Sequence, residues 1–186
     1  QMCIRDRCIS LAEKYGGSFR HVVTGIQITG IDKDDKEALI AELPDGVTTV
    51  IHSGVNSLIA CVGKGKCKNG QMETAELADY IERKHYGRKT SHKCKIGISG
   101  CGRNCPDSMV KDIAFIGTSQ GFMLAVGGNT GMRPEAGKIL MRKLSVEQAK
   151  KAADILIDWY AENGEPKERM GKLLERLGNP LENKTL

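Results

Sequence analysis

The run Lys93-Cys94-Lys95-Ile96-Gly97-Ile98-Ser99-Gly100-Cys101-Gly102-Arg103-Asn104-Cys105 decides how this chain is read. Its first seven residues alternate as a half-buried strand does. Cys94, Ile96 and Ile98 share one face, and Lys93, Lys95, Gly97 and Ser99 share the other. Cys94 is therefore expected as a packed core thiol. The two lysines are expected on the side from which Cys101 and Cys105 emerge. This C-x3-C pair has a partner upstream, Cys61-Val-Gly-Lys-Gly-Lys-Cys67, a C-x5-C pair separated from it by 33 residues.

Two close cysteine pairs flanking a folded segment are what a tetrathiolate site needs, because each pair supplies one edge of a tetrahedron. Such a site suits zinc or an iron–sulfur cluster. Zinc pairs are usually spaced by about two to four residues, so the wider first pair argues against zinc. Gly63, Gly65, Gly100 and Gly102 crowd the thiols and let backbone amides approach sulfur, which favours a cluster over a bare ion. Two structural disulfides are the competing reading, and the odd total of seven cysteines fits it poorly. Pro106 suits the first position of a helix, so the spacing predicts a helix over 106–112 with its positive end toward an anionic site.

The 186 residues hold one domain or two small subdomains, with 40% hydrophobic and 27% charged residues. No apolar run approaches the roughly 20 residues of a membrane helix. With no secretory signal in view, a reducing cytoplasm is the expected compartment. The net charge of +5 is scattered and aromatics are only 4%, which gives no motive for a nucleic-acid or membrane partner. It does suit an acidic cofactor or a small anionic substrate.

Residues 1–7 show no periodicity joining them to the rest and read as a fragment end or an extension. Residues 19–31 read as one strand, 32–43 as a helix, Pro44-Asp-Gly46 as a turn and 47–51 as a second strand. The expected fold class is α+β. Residues 9–58 form a ferredoxin-like half-domain, and residues 59–186 an α+β domain with a helical tail. Further helices are expected over 73–84, from Ser145 to Gly164 with Gln148 completing a capping box, and after Pro166 to Gly178. Strands are expected over 113–117 and 122–126. His21, His52, His85 and His92 have no metal-ligand spacing, and only His92, beside the lysines, is a candidate proton donor.

Read together, Ala60–Cys67, Lys95–Cys105, Asp112–Gly117 and Val126–Gly131 resemble the sirohaem-dependent sulfite and nitrite reductase family, in its small single-subunit form. The resemblance implies a 4Fe-4S cluster held by Cys61, Cys67, Cys101 and Cys105, with Cys105 also bridging to a sirohaem iron. It implies reduction of sulfite to sulfide by six electrons, or of nitrite to ammonia; a non-catalytic electron-transfer or sirohaem-binding protein is the alternative. Lys93 and Lys95 resemble a family Lys-x-Lys pair facing the substrate oxyanion. Gly127, Gly128 and Asn129 resemble a loop near the macrocycle, and Arg103 and Arg133 are candidates for its carboxylates. A ferredoxin-like protein is the expected electron donor, and Lys64 and Lys66 suit an acidic one. One departure stands out. The family's Thr-x-x-Gln-Arg-like segment has no counterpart here, since Gln27 is not followed by arginine and Arg20 lies upstream.

Overall fold

The structure is a computed structural model and describes residues 4–22, 25–44, 47, 49, 53–182, 184 and 186. The chain divides into two compact units, Gln1–Val50 and Ile51–Leu186.

The first unit opens with helix α1, Ile4–Lys14, which buries Cys8 and Ala12 one turn apart. Within the stretch read as a fragment end or an extension, Ile4–Arg7 thus form the first turn of a helix. The single strand expected over 19–31 is instead a hairpin. Strand β1, Ser18–Val22, pairs antiparallel with β2, Gly25–Thr29. β-Branched residues favour extended backbone but do not say where it reverses. Helix α2, Lys36–Ala41, is shorter than expected because Asp32–Asp35 form a turn before it. Most of the turn and strand expected over 44–51 lies outside the described residues.

The second unit is a five-stranded sheet with helices packed on one face. Its strands are β3 (Gly54–Ala60), β4 (Lys93–Ser99), β5 (Ile113–Thr118), β6 (Gly121–Val126) and β7 (Lys138–Leu144), in that spatial order. β3, β4 and β5 run parallel; β6 and β7 return antiparallel. Parallel neighbours need a crossover, usually a helix. Helix α3, Ala75–His85, supplies it between β3 and β4. Between β4 and β5 the crossover is instead the Gly100–Asp112 segment, which contains the second cysteine pair.

Cys94, Ile96 and Ile98 are fully buried and join Phe115, Phe122 and Leu124 in the core beneath α3, α4 (Val146–Asn163) and α5 (Met170–Leu177). Ser145 accepts from the Gln148 N–H at 3.1 Å while Gln148 Oε1 accepts from the Ser145 N–H at 3.0 Å, so the expected capping box is formed. β7 has no counterpart in the sequence reading. It lies on the sheet edge with its lysines and Arg142 exposed, and alternation is lost where the register shifts. The helix expected from Pro106 is also absent. Asp107 takes a left-handed conformation, and only a short 3-10 turn, Ser108–Val110, follows.

Candidate metal centre

The two cysteine pairs begin where two adjacent parallel strands end. Cys61 follows β3, Cys101 lies just past β4, and the Cys61 N–H donates to the Ile98 carbonyl at 3.0 Å. The carboxyl ends of parallel strands are the usual place for a ligand site in α/β sheets.

Gly100 locks the two loops together. Its N–H donates to Cys61 Sγ at 3.0 Å, and its carbonyl accepts from the Gln71 and Met72 N–H groups at 2.8 and 2.9 Å. A Cβ at this position would lie 2.8 Å from Gly63 Cα and 2.9 Å from the Met72 carbonyl oxygen. Only glycine lets the backbones approach so closely. Thr74, buried at the start of α3, donates its hydroxyl to the Cys61 carbonyl and fixes the same loop from below.

Around Cys105 the chain turns twice. Asn104 and Asp107 both have positive φ, 54° and 53°, a conformation that asparagine and aspartate tolerate best among residues with a Cβ. Asn104 Oδ1 holds the turn by accepting from the Met109 N–H at 3.2 Å. Such backbone settings cluster where a ligand must be clamped. Cys105 is the exposed member of the set; Cys61, Cys67 and Cys101 are half-buried. All four are free thiols, so the disulfide alternative does not hold. Among the described residues no three His, Cys, Asp or Glu side chains converge tightly enough for a single metal ion. A cubane cluster holds its thiolates farther apart than one ion does. Four free thiols on two interlocked loops, with an amide already aimed at one sulfur, fit a cluster.

The segment leaving Cys105 folds back over the lysine face of β4. Gly97 packs against Ser108, and Ser99 Oγ lies 2.9 Å from Ser108 Oγ. Lys93 and Lys95 continue that face, half-buried. At Lys95 the strand is held by Asp112, whose Oδ2 accepts the Lys95 N–H at 2.8 Å. Arg169, the residue before α5, donates to Asp112 Oδ1 from Nη2 at 2.7 Å and from Nε at 3.1 Å. Burial lowers the Lys95 pKa, and Lys93, Lys111 and Arg169 add to that, against Asp112. Burial also lowers that of His92, helped by Arg169 and Lys93. His92 Nδ1 accepts the Lys93 N–H at 2.8 Å. His92 is thus shifted toward its neutral form. The pairing of Arg169 with Asp112 escaped the sequence reading because 57 residues separate them.

The other candidates divide. Gly127 and Gly128 serve the fold directly: a Cβ on Gly127 would lie 2.8 Å from Gly171 Cα, and one on Gly128 would lie 2.4 Å from the Met109 carbonyl oxygen. Asn129 pairs its backbone with Glu135 and accepts the Gly131 N–H on its own side chain, closing the loop. Arg103 and Arg133 are exposed. In the first unit, Arg20 donates from Nε to Gln27 Oε1 across the hairpin at 2.8 Å.

Residues 52–180 match the family described as the nitrite and sulphite reductase 4Fe-4S domain. The chain belongs to that family. It is an oxidoreductase of the sulfite and nitrite reductase type, and its cofactors are a 4Fe-4S cluster and sirohaem. It is 29% identical over 177 residues to the assimilatory-type sulfite reductase of Nitratidesulfovibrio vulgaris, covering 94% of this chain and 81% of that protein. It is 31% identical to the NAD(P)H nitrite reductase of Bacillus subtilis over 82% of this chain, but spans only 19% of that enzyme. A crystal structure of dissimilatory sulfite reductase I shares the fold with a TM-score of 0.79, at 14% identity over 98% of this chain and 66% of that one. No helix among the described residues is long and apolar enough to cross a membrane.

Proposed function

We propose that the chain works as a sulfite reductase, converting sulfite to sulfide with six electrons. Cys61, Cys67, Cys101 and Cys105 would hold the cluster, and the exposed Cys105 would also join it to sirohaem. Bound there, the cofactor pair supplies electrons and a haem iron for the anion.

The observation that carries this reading is Lys95, half-buried on the face of β4 that the segment from Cys105 folds across. Lys93 and Lys95 would attract the oxyanion, and Lys95 would hold a proton at Nζ for the leaving oxygens. Removing each oxygen as water consumes protons, so a nearby acid is needed. A lysine with a lowered pKa releases its proton more readily than an ordinary one. Arg103 and Arg133, both exposed, suit the carboxylates of the macrocycle as charge-assisted donors. Asn129 would sit on a loop shaped by Gly127 and Gly128. Lys64 and Lys66 are exposed between the first two thiols and suit an acidic, ferredoxin-like donor in a reducing cytoplasm.

Nitrite reduction to ammonia is the second reading, favoured by the similarity to named nitrite reductases. The fuller span of the assimilatory-type sulfite reductase supports sulfite first. Steady-state turnover of both anions by cofactor-replete protein, with a reduced viologen as donor, tests the proposal. Sulfite is expected to be the better substrate. Lys95→Met is expected to lower its turnover about 100-fold or more, the usual scale for losing a general acid. Wild-type turnover in that variant would refute the role of Lys95, and no turnover of either anion by the parent would refute the enzyme reading.

A further inference from the structure

We infer that Asp112 and Arg169 act as a positioning pair for Lys95, fixing the strand at that residue and setting the electrostatic field at its ammonium group. The inference rests on the reading of Lys95 as the lysine that faces the oxyanion.

Asp112 is the joint of this arrangement. Its side chain is 1% exposed, and each oxygen is committed: Oδ2 to the Lys95 N–H, Oδ1 to the Arg169 fork. Its backbone carbonyl accepts the Gly127 N–H at 2.8 Å, so the same residue anchors the Gly127–Asn129 loop. Arg169 is equally tied. Its carbonyl accepts the Lys172 and Leu173 N–H groups and so begins α5. Strand β4, the loop after β6 and helix α5 therefore meet at one ion pair.

The charges around the Lys95 ammonium are unbalanced. Lys93 lies two residues away on the same strand face, Lys111 comes from the segment before β5, and Arg169 comes from the start of α5. From β3 the register partner is Ser57, which is uncharged. Against these three cations Asp112 is the acid that acts on Lys95. A net positive cluster of this kind attracts an oxyanion and favours release of a lysine proton. Asp112 limits how far that goes, and Arg169 limits Asp112.

This reasoning gives the two partners opposite signs. Asp112→Asn removes that anion and leaves Arg169 uncompensated, so Lys95 becomes more acidic. Arg169→Gln removes a cation and leaves Asp112 uncompensated, so Lys95 becomes less acidic. Arg169→Lys keeps the charge and stays near the parent. The readout is trace labelling of the full-length, cofactor-loaded protein with acetic anhydride across pH, with acetylation at Lys95 quantified by mass spectrometry. The labelling midpoint is expected to fall in Asp112→Asn, rise in Arg169→Gln and return toward the parent in the double variant. A pair that only braced the fold would move both midpoints the same way or neither, and that result overturns the inference. Should Asp112→Asn not fold, Arg169→Gln decides alone, because a midpoint that falls or stays contradicts the proposed sign. Wild-type turnover by Lys95→Met would count against the reading of Lys95, whereas the midpoints judge the pair independently.

Discussion

Replacing Gly100 by alanine tests the interlock between the cysteine loops with a single methyl group. The new Cβ would stand 2.8 Å from Gly63 Cα and 2.9 Å from the Met72 carbonyl oxygen, both backbone atoms. Comfortable carbon–carbon contact begins at about 3.5 Å, so the loops must separate by roughly 0.7 Å. Three hydrogen bonds oppose that movement, two accepted by the Gly100 carbonyl and one given to Cys61 Sγ. Overpacking of this kind costs about 1–3 kcal/mol. For a chain of this size it corresponds to a fall in Tm of roughly 2–12 °C. The same displacement moves Cys61 away from Cys101, so the variant should also hold less iron. Gly102→Ala is the control. It flanks Cys101 on the other side, but a Cβ there meets nothing within 4 Å, and it should keep parent Tm and iron. Differential scanning calorimetry with iron and acid-labile sulfide assays reads both. Parent-like iron and Tm in Gly100→Ala, or equal losses in the two variants, would refute the interlock.

Two further outcomes follow from the second unit. Asp154 on α4 accepts from His85 Nε2 at 2.6 Å, Lys84 Nζ at 2.7 Å and Tyr80 OH at 2.8 Å, tying α3 to α4. Burial alone would raise its pKa, but these donors lower it. Its stabilising effect is therefore fully present above the ordinary aspartate value and lost as pH falls through the lower folded value. Asp154→Asn should cost about 1–3 kcal/mol at neutral pH in urea unfolding, because an amide turns N–H groups toward donors, the buried His85 among them. The gap from the parent should close in acid; a gap independent of pH would contradict this. Cys94 is fully buried, and burial pushes its thiol pKa well up. Cys94→Ser should lower Tm yet leave iron per folded chain unchanged, whereas any loss of cluster iron would contradict its reading as a core thiol.

The sequence was most legible where local pattern and tertiary demand agree. The alternation from Lys93 to Ser99 predicted which side chains reach the core, and the Ser145–Gln148 box predicted where α4 begins. It failed where distant contacts override local preference. Pro106 is a good first helical residue, yet Gly97 and Ser99 draw Ser108 onto β4, and Asp107 adopts a left-handed turn instead. The hairpin at β1 and β2 was hidden by a continuous run of strand-forming residues. In the candidate site, paired glycines and cysteines were visible as motifs. The pairing of Asp112 with Arg169 was not, because an ion pair across 57 residues leaves no periodic trace.

The central claim is that Cys61, Cys67, Cys101 and Cys105 close around one cluster that adjoins sirohaem. Anaerobically purified protein should show sirohaem absorption bands beside a cluster shoulder, with iron exceeding acid-labile sulfide by one haem equivalent. Replacing any one of the four cysteines by serine should abolish the shoulder. Zinc in place of iron, or an unchanged cluster after any of these substitutions, would contradict the account.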